Sequence, residues 1–137
     1  MLESKFTRIV CKQLEDVGCI ITVVTGNKFT MNNADRIITS LWGIWHLEFK
    51  AENTPLRAPQ QHSLELLNSR RSWCAWVIRH DSDLGRSGGH VLTPDQKSTL
   101  GEFRNGKELL CRLVTCERTV CQERNDCFTR FPHFVDN

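Results

Sequence analysis

The chain has no long apolar run, no strong charge bias, no internal repeat and no low-complexity tract. Its longest apolar stretch, Cys19-Ile20-Ile21-Thr22-Val23-Val24, falls far short of the ~20 residues that a membrane span requires. The start, Met1-Leu2-Glu3-Ser4-Lys5, carries no apolar segment after a basic one. The expectation is therefore a chain without a secretory signal, working in the cytoplasm and off the membrane. Lys and Arg total 18 against 16 Asp and Glu, a net charge of +2. That balance is too mild either to declare or to exclude a nucleic-acid partner. Cys-x2-Cys pairs are also missing, although cysteine itself is not: the chain has 7. Cys116, Cys121 and Cys127 stand in a Cys-x4-Cys-x5-Cys spacing, which is not that of a zinc ribbon. Free thiols in a reducing compartment are the expectation. The alternative is a metal or iron–sulfur cluster held by this tail together with Cys111 or His133.

What is present is ordinary globular composition, 39% hydrophobic and 25% charged over 137 residues. A chain of this size buries roughly two-thirds of its unfolded surface, enough for one core without staples. Periodicity predicts a helix over 3–17, where Phe6, Ile9, Val10, Gln13, Leu14 and Val17 fall on one face before Gly18. A strand follows over 19–25. Strands over 35–41 and 44–50 form a hairpin about Trp42-Gly43, and a helix over 59–69 opens on Pro59. A strand over 73–78, a loop over 80–89, a short strand over 100–103 and a helix over 106–124 complete the chain. The predicted fold is α/β, a mixed central sheet flanked by helices. Residues 1–80 form its core; 81–137 are a C-terminal helical extension of the same domain.

The informative segment runs from Asp35 to Gln60. In a strand, Glu48 and Lys50 leave the same face, while Leu47 and Phe49 leave the other toward a core. Asp35, opening the neighbouring strand, reaches the same place. Two converging carboxylates make an oxygen site for a hard divalent cation, Mg²⁺ by preference and Mn²⁺ as the alternative. A lysine beside that ion steadies charge on a phosphoryl group, which is the chemistry of phosphodiester hydrolysis. Glu3, on the buried side of the first helix, is placed to approach the same sheet edge and to hold metal through a water. Against this stands a plainer alternative: Glu-x-Lys in a strand is common as a surface ion pair, worth little.

The ordered set Asp35…Glu48-Phe49-Lys50, then Leu56-x3-Gln60 opening a helix, resembles the PD-(D/E)XK nuclease superfamily, and within it the virus-type replication–repair (VRR-Nuc) nucleases. The resemblance covers residues 3 to about 80. Asn32-Asn33-Ala34-Asp35 stands where that family usually has Gly-x-Pro-Asp. The resemblance implies a restriction-endonuclease-like core with Asp35 and Glu48 as metal ligands, joined by the backbone carbonyl of Phe49. It further implies that Lys50 positions the attacking water and stabilises the transition state. Gln60 would orient Lys50 or that water, and Glu3 would be the outer acid.

Stand-alone members of that family imply a Mg²⁺-dependent endonuclease of branched DNA, a Holliday-junction resolvase working as a homodimer, in the host cytoplasm if phage-encoded. A symmetric dimer places two active sites on two opposed strands of a junction. The alternatives are a nuclease of flapped or linear DNA in phage replication or repair, and a non-catalytic DNA-binding module with a nuclease-like fold. Arg36, Arg57, Arg70 and Arg71 are the candidate phosphate contacts. Trp42 in the turn is a candidate for DNA or partner contact, and Trp45 for the core. Asp81-x-Asp83 reads as a solvated loop, with cation binding the alternative. The stripe Leu109, Leu110, Leu113 and Val114 suits either packing on this domain or a dimer seam.

Overall fold

The structure is a computed structural model that describes residues 3–24, 35–70 and 74–124, with side chains from 5 to 115 within those stretches. Three helices and six strands follow the order α1 (Glu3–Asp16), β1 (Ile20–Val23), β2 (Arg36–Thr39), β3 (Ile44–Lys50), α2 (Ala58–Arg70), β4 (Ala75–His80), β5 (Gly89–Leu92), β6 (Thr99–Phe103) and α3 (Gly106–Arg124). A short 3₁₀ turn at Ser82–Leu84 sits between β4 and β5. All six strands form one mixed sheet in the order β1-β2-β3-β4-β5-β6. Only β3 and β4 run parallel; every other neighbouring pair is antiparallel. Parallel neighbours need a crossover rather than a tight turn, and α2 supplies it.

Alternation along the strands sorts the side chains into two faces. Trp45, Leu47 and Phe49 of β3, with Trp76 and Ile78 of β4, point to one face and are fully buried. There they meet Phe6, Val10 and Leu14 of α1 and Leu109, Leu110 and Leu113 of α3 in the main core. The opposite face carries His46, Glu48 and Lys50 of β3, and α2 covers part of it. Leu64 of α2 packs on Ala75 and Val77 in a second, smaller cluster.

Local chemistry explains the element ends. Phe6, Val10 and Leu14 recur every four residues, so they form one stripe of α1. The helix stops in paired backbone hydrogen bonds, Cys19 N–H to the Leu14 carbonyl and Gly18 N–H to that of Glu15, both 3.0 Å. That closure needs a left-handed residue, and Gly18 supplies it at φ +97°. Arg57 caps helix α2, its carbonyl taking the first intrahelical bond from Gln61 N–H.

The sequence reading misses β5 and ends β4 early. Its loop over 80–89 contains the last residue of β4 and the first of β5. Gly88-Gly89 reads as a breaker, yet a side chain at Gly89 would meet the Arg79 carbonyl at 2.3 Å. Glycine here permits the close approach of a paired strand. Of the two uses open to the α3 stripe, packing on this domain is the one seen: Leu109, Leu110 and Leu113 lie inside the main core. Among the described residues no helix is long and apolar enough to cross a membrane.

Candidate active site

Antiparallel register sets Arg36 opposite Leu47. One rung further would set Asp35 against Glu48, and there the ladder gives way to side-chain bonds. The Asp35 N–H donates to Glu48 Oε2 at 3.3 Å. The Phe49 N–H donates to Asp35 Oδ1 and Oδ2 at 3.3 and 3.4 Å. Each carboxylate thus accepts a bond from backbone beside the other, and both sit at one end of the β2–β3 pair. In a strand, a residue's N–H and C=O leave toward the same edge. The Phe49 carbonyl therefore opens toward Asp35 as its amide does.

Glu48 and Lys50 are only 6% and 7% exposed. The surface ion pair that Glu-x-Lys more often makes is therefore not what stands here. Among the described residues, no carboxylate lies within ion-pair distance of the Lys50 ammonium. A buried cation with no counter-charge among the described residues is costly in a fold and is a candidate for a functional role.

Gln60 is the fourth member. Its Nε2 donates to Glu48 Oε1 at 2.7 Å, and its Oε1 accepts the Arg57 N–H at 3.0 Å. The second bond is half of a capping box, in which the third helical residue satisfies the backbone of the cap. One amide therefore fastens the start of α2 to the acid in β3. The resemblance implied that Gln60 orients Lys50 or the water; its partner in the structure is Glu48. Replacing Gln60 with Ala is expected to lower stability by about 1 kcal/mol, through the lost cap, and to reduce turnover by loosening Glu48. Urea unfolding and a turnover assay on the same preparation check both parts. Unchanged turnover would reduce Gln60 to a cap.

Arg79 escaped the sequence reading. It is the parallel neighbour of Lys50 on the same face. Its Nη1 donates to the carbonyls of Ala51 and Thr54, each at 2.7 Å, and its Nη2 reaches Gln96 Oε1. It thereby holds the turn that leads from Lys50 into α2. The available signal was an arginine directly after the apolar run Ala75–Ile78.

The remaining candidates divide. Glu3 opens α1, and α1 packs on the face opposite Glu48 and Lys50; the Glu3 side chain lies outside the described residues. Arg36, one of the candidate phosphate contacts, does not share the Glu48 face. Its register partner is Leu47, so its side chain leaves the other face, where its Nη1 bonds the Asp35 carbonyl at 2.9 Å. Arg57 and Arg70 are exposed at opposite ends of α2, and Arg71 lies outside the described residues. Trp42 is 47% exposed at the hairpin tip beside Leu41, whereas Trp45 is fully buried. Asp81 is a structural cap: its Oδ1 accepts the Asp83 N–H at 3.0 Å and its Oδ2 meets His90 Nε2 at 2.8 Å. The His90 bond, then the Asp83 bond, hold the Asp81 carboxyl below its ordinary range.

Among the described residues, Cys11, Cys19, Cys74 and Cys111 are not in disulfides. Cys116, Cys121 and Cys127 lie outside the described side chains.

As a metal centre the arrangement offers Asp35, Glu48 and the Phe49 carbonyl, an all-oxygen set suited to a hard cation. Among the described residues no group of three or more His, Cys, Asp or Glu side chains gathers around one point. A third donor from this set is therefore backbone. No family model, no curated protein and no solved structure matches the chain.

Proposed function

We propose that the protein is a metal-dependent nuclease of the PD-(D/E)XK type. The observation that carries this reading is the meeting of Asp35 and Glu48 at one end of β2–β3, with a buried Lys50 on the Glu48 face. The strand order around the site suits a restriction-endonuclease-like core, because the strand bearing Glu48 and Lys50 leads through α2 into a parallel neighbour. Asp35, Glu48 and the Phe49 carbonyl would hold Mg²⁺ or Mn²⁺, with Glu3 contributing through a water. The chemistry supplied by such an ion when bound is Lewis acidity toward a phosphoryl oxygen. The chain's own residues do the positioning. Phe49 N–H fixes the Asp35 carboxylate, Gln60 fixes that of Glu48, and the Lys50 ammonium steadies negative charge that develops on the phosphoryl group.

The substrate we propose is branched DNA, cut as by a Holliday-junction resolvase, with two copies of the chain acting on opposed strands. The dimer rests on the symmetry of the junction alone, since the apolar stripe of α3 is consumed within the domain. Incubating the protein with a four-way junction, one strand labelled at a time, gives the test. Paired nicks in Mg²⁺, absent in EDTA and in Asp35→Ala, are expected, and light scattering should report about twice the 15.8 kDa chain mass. Cleavage of flapped or linear DNA in preference to the junction would keep the nuclease and remove the resolvase. Junction binding without cleavage in any divalent metal would leave a DNA-binding module.

A further inference from the structure

On the sheet face opposite Glu48, α1 and the β1–β2 edge border an open cleft of about 540 Å³. That is room for a ligand of nucleotide size. Arg8 and Lys12 line it from successive turns of α1, and Arg36 lines it from β2. Glu15 is the one carboxylate in the lining. Ile21 and Val23 of β1 supply an apolar wall, and Val23 is 60% exposed.

Like charges four residues apart on a helix repel. Arg8 and Lys12 have that spacing, and Arg36 brings a third cation to the same cleft. Among the described residues, none of the three is in an ion pair. Arg36 bonds the Asp35 carbonyl and the Cys11 thiol, and five donors are available on a guanidinium. Three cations converging beside an apolar wall suit an anion that carries an apolar or planar group. Arg36 follows Asp35 directly and leaves the opposite face, so the cleft lies across the sheet from the acid pair. The charges of both Asp35 and Arg36 reach the Cys11 thiol in the cleft, which burial pushes up to about 11.

We propose that this cleft is a nucleotide-binding subsite, with Arg8, Lys12 and Arg36 holding a phosphate and Ile21 and Val23 receiving the sugar or base. The ligand is either a free nucleotide or one nucleotide of a DNA strand, and the two share the phosphate that the cations recognise. The subsite does not depend on catalysis at Asp35 and is tested without it.

The experiment titrates the full chain in EDTA at low salt, where a failure of the nuclease reading has no bearing. The probes are deoxyadenosine monophosphate, deoxyadenosine and a single-stranded hexanucleotide. Saturable binding of the monophosphate is expected, with the nucleoside at least tenfold weaker. Arg8→Gln and Lys12→Gln should each weaken binding about tenfold, the scale of one charge-assisted hydrogen bond, and Arg8→Lys should restore most of the loss. Both positions are exposed on α1, so circular dichroism should stay as in wild type. Binding of the hexanucleotide alone, lost in the same variants, would assign the subsite to a strand rather than a free nucleotide. With wild type, hexanucleotide affinity should fall with salt at a log–log slope of about −0.7, the value for one neutralised phosphate on a single strand. Equal binding of nucleoside and nucleotide, affinities within twofold in both variants, a slope near zero, or no saturable binding of any probe would each overturn the proposal.

Discussion

Substituting methionine for Lys50 is expected to cost at least about 10²-fold in cleavage rate, the scale of losing one preorganised transition-state contact, while stability holds or rises. The two directions follow from one fact. Lys50 is 7% exposed, and no carboxylate among the described residues neutralises it. Burying an unpaired ammonium opposes folding, so an apolar side chain of similar length removes a penalty. A site group of this kind trades stability for chemistry. Asp35→Asn should match the rate loss and keep the fold, because the amide retains an oxygen to accept the Phe49 N–H. Chelation of metal should abolish what activity remains. Rates on a labelled junction and thermal melts of the same three proteins check this. Near-normal cleavage by Lys50→Met, or wild-type cleavage in EDTA, would remove the nuclease assignment. A large fall in melting temperature for Lys50→Met would make the lysine structural.

The site was legible in sequence because its members share short-range geometry. Glu48 and Lys50 are two apart in a strand, and alternation alone puts them on one face. The span of β3, Ile44–Lys50, and that of α3, Gly106–Arg124, are those expected from pattern. Asp35 was reachable because a hairpin fixes which residue stands opposite which. Register also places Arg36: one residue after Asp35, it leaves the other face of the sheet from Glu48, so this candidate phosphate contact stands away from the acid pair. Gln60 could be placed near the site but not on its partner, because the reach of a side chain from a helix start depends on how α2 docks. Arg79 and β5 were not legible for a further reason. Arg79 acts on carbonyls more than twenty residues away in sequence, and β5 opens on a glycine whose role is visible only against the Arg79 backbone. The cleft under Arg8, Lys12 and Arg36 needed the packing of α1 on β1, which no local pattern encodes.

The largest expected loss of stability lies beneath the site, at Phe6. Its ring is fully buried. It meets Phe49 edge-on at 5.9 Å between centroids, stacks near Phe103 at 6.5 Å and lies 4.4 Å from the His80 ring. One side chain of α1 therefore ties β3, β4 and β6 together on the core face. Phe6→Ala should cost about 3–5 kcal/mol, since the lost transfer energy is joined by the cavity left among three rings. Against a total of roughly 5–15 kcal/mol for an ordinary domain, that is a large share of the fold. The effect should reach the chemistry as well. Phe49 packs on Phe6 through its ring and holds Asp35 through its amide, so a void below β3 frees the strand segment that aligns the carboxylate. Phe6→Leu refills much of the cavity and should recover most of the stability and the activity. Urea unfolding gives the test: the midpoint should fall sharply for Ala and much less for Leu, with the slope unchanged if both variants unfold in one step. A loss below about 1 kcal/mol for Phe6→Ala would mean that α1 is not seated on β3, because full burial of a phenylalanine cannot be that cheap.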